Sequence, residues 1–245
     1  MLSLIVKLRI FGLIATIICL ASVAAFAYQP EQVSSGGAIR GIVKFDGVVP
    51  KPQLIDVTKD ISVCGRKPHY DQSLVVGQGG GIANAVVAIT NIQKGEPLIP
   101  EKNVKFDQVE CEYSPHVLAI PAGSTIQVIN SDGILHNIHT YSHNQPDINM
   151  AQPGFKKTIN VTVEKPDVIR VDCDAHNWMR GWWYVAGNPY YAKTGPDGRF
   201  TISNVPPGTY TLRLWQEKLG TVAKQVVVKP KTATTVDFTI GQKKG

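Results

Sequence analysis

The chain has 245 residues, enough for one large or two small domains. It is 43% hydrophobic and 18% charged, a balance that supports a packed core and excludes a disordered chain. Its formal charge of +6 is dispersed, and no Lys/Arg run interleaves with aromatic residues, which argues against a nucleic-acid partner.

Lys7 and Arg9 lead into an uncharged, mostly apolar run, Ile10 to Ala27, that ends in Ala25-Phe26-Ala27. This small-x-small ending predicts that residues 1–27 are a signal peptide cleaved after Ala27. The run is also long enough for the alternative, an uncleaved N-terminal membrane anchor. Both readings put the folded part outside the cytoplasm. Losing Lys7 and Arg9 leaves 23 basic against 19 acidic residues, a charge of +4. Three cysteines remain: Cys64, Cys111 and Cys173. In an oxidising compartment two can pair, and an idle third thiol would oxidise unless buried or bound to metal.

Beyond a polar linker, Tyr28 to Gly37, no amphipathic helical pattern is evident. Short β-rich runs alternate with Gly, Pro, Asn and Asp. Strands are predicted over 38–45, 83–90, 116–123, 124–130, 157–163 and 167–173, then over 198–205, 208–215, 222–229 and 233–240. Many short strands with regular turn signals predict an all-β protein of sandwiches or barrels. In "TGPDGRFTISNVPPGTYTL", two turn formers flank alternating strands. Phe200 and Ile202 should share one face, and Tyr210, Leu212 and Leu214 one face of the next strand.

This last stretch resembles the carboxypeptidase regulatory-like, transthyretin-type β-sandwich, through Asp197, Gly198, Arg199, Phe200, Val205, Pro206, Pro207, Gly208, Tyr210 and Leu212. "GAIRGIVKFDG", residues 37–47, resembles the opening strand of the same module. The expected organisation is an N-terminal β region over 28–103, joined to or part of that sandwich, a second domain over 104–188, and a regulatory-like β region over 189–245, with insertion of one sandwich in the other left open.

The middle domain carries the chemistry. Cys173 closes the strand "DVIRVDC", and His176 and Met179 follow within six residues. A thiolate, an imidazole and a thioether on one short loop are three of the four ligands of an electron-transfer copper site. The second imidazole must come from elsewhere, and "INSDGILHN" offers His136 after a turn. Taken alone, Cys173 also reads as a disulfide partner, His176 as a surface histidine and Met179 as core.

Together these residues resemble the cupredoxins, the small blue copper proteins. Tyr113-x-Pro115, Ala122-Gly123-x-Thr125, Asn130-x-Asp132 and His136-Asn137 follow the family's progression, and Cys173-x-x-His176-x-x-Met179 matches its short, amicyanin-like ligand loop. The resemblance spans about residues 104–188 and implies a cupredoxin-like Greek-key β-sandwich. It also implies one mononuclear type 1 copper bound by His136, Cys173, His176 and Met179. Asn137 is the residue that would tie the His136 loop to the Cys173 loop. Trp178, Trp182 and Trp183 are expected to wall the site from solvent. Cys64 and Cys111 are the natural disulfide beside that ligand set, linking the N-terminal region to the cupredoxin segment; a bond from Cys173 to either is the alternative. His139 is a candidate extra ligand, although three residues from His136 on a strand places it on the other face. His69, His116 and His143 read as ordinary polar histidines.

The combination resembles a bacterial periplasmic protein. The expected role is electron transfer with an unidentified redox partner protein. Copper storage or delivery, or a non-catalytic binding module, are the alternatives. Contact with a membrane is expected only through an uncleaved N-terminus. An enzyme is not expected: a multicopper oxidase needs further paired histidines, and the chain has six histidines with no His-x-His.

Overall fold

The computed structural model describes residues 28–241; the signal-peptide reading of residues 1–27 therefore lies outside the described residues. The chain is nearly all β, as its turn-punctuated alternation predicts. No helix among the described residues is long and apolar enough to cross a membrane.

The middle of the chain forms one sandwich. One sheet orders Thr158–Val163, Ser124–Asn130, Val104–Val109 and Glu112–Ser114; the other orders Asn149–Gln152, His136–Tyr141, Asp167–Asp172, Arg180–Ala186 and Val117–Pro121. Most neighbours are antiparallel. Val104–Val109 with Ser124–Asn130 and Val117–Pro121 with Arg180–Ala186 are parallel. Period-two burial sets the core: Ser124, Ile126, Val128 and Asn130 point inward while the residues between them are half-buried. Ile138, Ile169, Val171 and Trp183 answer from the other sheet, and Phe106 meets Trp183 edge-on at 5.5 Å.

A second sandwich takes strands from both ends of the described chain. Tyr191–Lys193, Val86–Ile89, Gly208–Gln216 and Gly220–Val228 form one sheet; Arg199–Val205, Gly37–Phe45 and Ala233–Thr235 form the other, with Phe238–Ile240 also pairing on Gly37–Phe45. Phe200, Ile202, Leu212 and Leu214 are buried in its core and Tyr210 packs against it, as their alternation predicts. The strand expected over 233–240 is split. Val236 N–H still donates to Arg40 carbonyl at 2.8 Å, but at the break the Asp237 carboxylate accepts the Ile42 N–H at 2.9 Å. The run "HNIHTY" and the Trp-rich run after Arg180, unassigned above, are both strands.

Val86, Ala88, Val117, Tyr184 and Ala186 form a small core between the sandwiches, extended by Trp182 and Trp215 at 5.3 Å. Part of the segment between Gly37–Phe45 and Val86–Ile89 crosses to the middle sandwich, whereas Leu74 and Ile82 pack on the core of its own. It carries a short pairing, Leu54–Ile55 with His69–Tyr70, and one helical turn, Ile61–Cys64. Cys64 is disulfide-bonded to Cys111, and Val57 and Val63 pack on the middle sandwich.

Candidate metal centre

His136 begins the strand His136–Tyr141, where His136, Ile138 and Thr140 face inward and are buried. The turn before it is built by Asn130. Its amide donates to the carbonyls of Ile134 and Gln152, and its side-chain oxygen accepts the Gly133 N–H. Gly133 adopts φ +73°, a conformation that favours glycine. Cys173 follows the strand Asp167–Asp172, and the loop closes on itself. Met179 N–H donates to His176 carbonyl at 2.9 Å, and Cys173 N–H to Met179 carbonyl at 3.2 Å.

These two segments converge. His136 Nδ1 and His176 Nδ1 lie 3.0 Å apart, and Cys173 Sγ lies 3.9 Å from the first and 3.7 Å from the second. All three side chains are buried, and Met179 is in the same core. Cys173 is the free cysteine among the described residues. A metal bound in a plane at about 2.0 Å from nitrogen and 2.3 Å from sulfur separates such donors by roughly 3.5–3.7 Å. The observed spacings fit with small adjustments. Two imidazoles and a thiolate suit copper, and Met179, on the same loop and in the same core, is the candidate thioether.

The far nitrogen of each imidazole is held by a carboxylate. His136 Nε2 meets Asp132 Oδ2 at 2.8 Å, and His176 Nε2 meets Asp60 Oδ2 at 2.9 Å. An Nε2–H donated outward leaves the Nδ1 lone pair facing the centre. Asp132 also accepts the backbone N–H groups of Glu110 and Cys111. Burial raises the Asp132 carboxyl, but its bonds to His136, Cys111 and Glu110 outweigh this and hold it below the usual carboxylate range. Burial likewise works against a charged His136, yet its bonds to Asp132 and Cys173 lift it to about 9. Burial pushes the Cys173 thiol up, whereas its contacts with His136 and His176 bring it down to about 6. A thiolate held against an imidazole proton is a place where a cation can displace that proton.

Asn137 points to the other face. Its side-chain oxygen accepts the Asp174 N–H and its amide donates to the Asp174 carboxylate at 3.2 Å, so it joins the two ligand-bearing segments. His139 shares that outer face, bonds Asp174 at 3.0 Å and stacks on Tyr141; it is not among the converging donors. The tryptophans do not act together. Trp178 lies 5.1 Å from the His176 ring and donates to Cys111 carbonyl, Trp183 is core between the sheets, and Trp182 packs on Trp215 at the junction. Successive strand residues leave opposite faces, so Trp182 and Trp183 cannot share one wall. His116 is buried at the junction against Glu217, His69 spans Glu112 and Cys64 carbonyl, and His143 is exposed. A second cluster, Cys111, Asp132 and His136, offers no thiolate because Cys111 is in the disulfide.

Sequence reasoning missed Asp60 altogether and saw Asp132 only as part of a turn motif. Asp132 carried a signal, a carboxylate four residues before the candidate ligand His136. Asp60 carried none, being 116 residues from His176.

Residues 185–241 match the carboxypeptidase regulatory-like domain family. A Neurospora crassa protein bearing the name "Putative rhamnogalacturonase" is 38% identical over 56 residues, which are 23% of this chain and 10% of that protein. This chain thus spans a tenth of that relative's length. Among solved structures, a mutant of amicyanin in its Cu(I) form is 18% identical, over 34% of this chain and 82% of its own, with a TM-score of 0.31. A purple cupredoxin from Nitrosopumilus maritimus is 24% identical, over 34% of this chain and all of its own (100%), with a TM-score of 0.30. The chain therefore contains a carboxypeptidase regulatory-like segment and is structurally similar to cupredoxins over about a third of its length.

Proposed function

We propose that the chain holds one copper ion at His136, Cys173, His176 and Met179 and carries single electrons to or from a partner protein outside the cytoplasm. The observation that carries this reading is the convergence of His136 Nδ1, His176 Nδ1 and Cys173 Sγ within 4 Å, each imidazole anchored outward on a carboxylate. Copper in such a donor set supplies a one-electron Cu(II)/Cu(I) couple.

The chain's own residues do the rest. Cys173 supplies a thiolate at neutral pH, as its lowered pKa supports. Asp132 and Asp60 fix the direction of the two imidazoles. The closed Cys173–Met179 loop and the Asn137 bonds to Asp174 limit movement of the donors, which favours fast electron exchange. Cys173 is buried, so its sulfur is placed to hold a metal rather than to attack a substrate in solution.

Copper storage or delivery would use the same donors. Full burial of both imidazoles favours retention over hand-off. Export is supported by the N-terminal apolar run and by the Cys64–Cys111 disulfide, a bond typical of oxidising compartments. The expected result on titrating the mature protein is one copper per chain, with Cys173→Ser losing tight binding while remaining folded by circular dichroism. Unchanged stoichiometry and affinity in Cys173→Ser would refute the assignment.

A further inference from the structure

The outer nitrogen of His176 is met by a piece of chain from outside the middle sandwich. Its Nε2 is bonded by Asp60, and its side chain is 0% exposed while that of Asp60 is 40% exposed. Asp60 therefore stands at the boundary between the centre and solvent. Its backbone is in the left-handed region, φ 49°, and its carbonyl accepts the N–H groups of Val63 and Cys64. That turn ends at Cys64, which is bonded to Cys111. Cys111 in turn donates its N–H to Asp132 and accepts from Trp178 Nε1, and Asp132 holds His136. Asp60, the helical turn, the disulfide and Asp132 thus form one chain of bonds around the outside of the centre, from one imidazole to the other.

We propose that Asp60 is a positioning residue for His176 and that residues 57–64 form a cap, pinned by the Cys64–Cys111 disulfide, that closes this edge of the centre and slows metal exchange. The proposal rests on the copper reading for its consequence and on the His176–Asp60 contact for its geometry. The cap is local to one imidazole edge. Val57 and Val63 anchor it on the middle sandwich, and Lys67 pairs with Glu110 just beyond the disulfide. An outward swing of His176 would open this edge of the centre, and its bond to Asp60 opposes that movement. The bond needs an acceptor rather than a charge, so an asparagine oxygen can replace the carboxylate.

The test compares wild type with Asp60→Ala, Asp60→Asn and a Cys64→Ser/Cys111→Ser pair in the mature chain. Extraction of Cu(II) by excess EDTA should be about tenfold faster in Asp60→Ala and in the serine pair, and within about threefold of wild type in Asp60→Asn. Carbethoxylation of His176 by diethyl pyrocarbonate, read by mass spectrometry on protein without added metal, should rise in the same order. A merely structural role would predict similar defects in Asp60→Ala and Asp60→Asn. Equal extraction and equal labelling in wild type and Asp60→Ala would overturn the proposal. If the serine pair fails to fold, the two Asp60 variants decide the matter. If wild type takes up no copper, the copper reading falls, while the labelling still decides the cap.

Discussion

A single carboxylate can set the course of a loop. Asp167 accepts from Ser142 Oγ at 2.6 Å, from the N–H groups of His143 and Asn144 at 2.8 and 2.9 Å, and from Val168 N–H at 2.8 Å. Burial raises its carboxyl, but these donors outweigh it and hold it below the usual range. A depressed carboxylate contributes stability above its unfolded pKa of about 3.9, and that contribution is lost as pH falls through the lower folded value. Asp167→Ala should therefore cost about 2–3 kcal/mol at pH 7, and the gap from wild type should narrow below about pH 4. Urea denaturation at neutral and acid pH measures both, and a gap that widens in acid would contradict the account. Legibility at this scale followed locality. The convergence of Cys173 and His176 was readable because one loop carries both, and that of His136 because a turn sets it at a strand start. Asp60 was not, because only tertiary structure brings it to His176.

Among elements, alternation was the dependable guide. The strands over 124–130, 199–205 and 208–216 bury the residues their patterns put inside. His136–Tyr141 reads as a strand only in placing His139, and Arg180–Ala186 does not read as one, for physical reasons. The first is rich in polar side chains, and the second contains Gly181, whose missing side chain makes room for the Phe106 ring. The strand over 233–240 was too long as read, because Asp237 bonds the neighbouring strand's backbone and breaks the ladder. The segment 57–64, a weak strand signal in the sequence, instead carries the helical turn Ile61–Cys64 of the proposed cap. Its disulfide closes a loop of sequence separation 47, which should stabilise the fold by about 4 kcal/mol. The Cys64→Ser/Cys111→Ser pair should unfold at correspondingly lower urea; a loss under about 1 kcal/mol would mean that packing of Val57 and Val63 alone holds the segment.

At the level of the whole molecule, the two sandwiches are interleaved in sequence and joined in space. The regulatory-like sandwich draws strands from before and after the middle one, and the junction packs Trp182 and Tyr184 against Trp215. His116 with Glu217, and Lys193 Nζ donating to Val117 carbonyl at 2.8 Å, add polar ties across it. This arrangement gives the second sandwich a structural part in the site: the chain leaving its strand Gly37–Phe45 supplies the cap over His176. The sequence pattern implied two sandwiches, but not that Asp60, in the chain leaving one, reaches His176 in the other. Reach of that kind depends on chain path, which local patterning does not encode.

The most direct test of the central claim is the visible and EPR spectrum of the mature protein loaded with one equivalent of Cu(II). A buried thiolate and two imidazoles around copper predict an intense visible band from thiolate-to-Cu(II) charge transfer, with an unusually small copper hyperfine splitting, both lost in Cys173→Ser. A folded, copper-loaded protein that is nearly colourless, with the wide splitting of ordinary nitrogen and oxygen coordination, would contradict it.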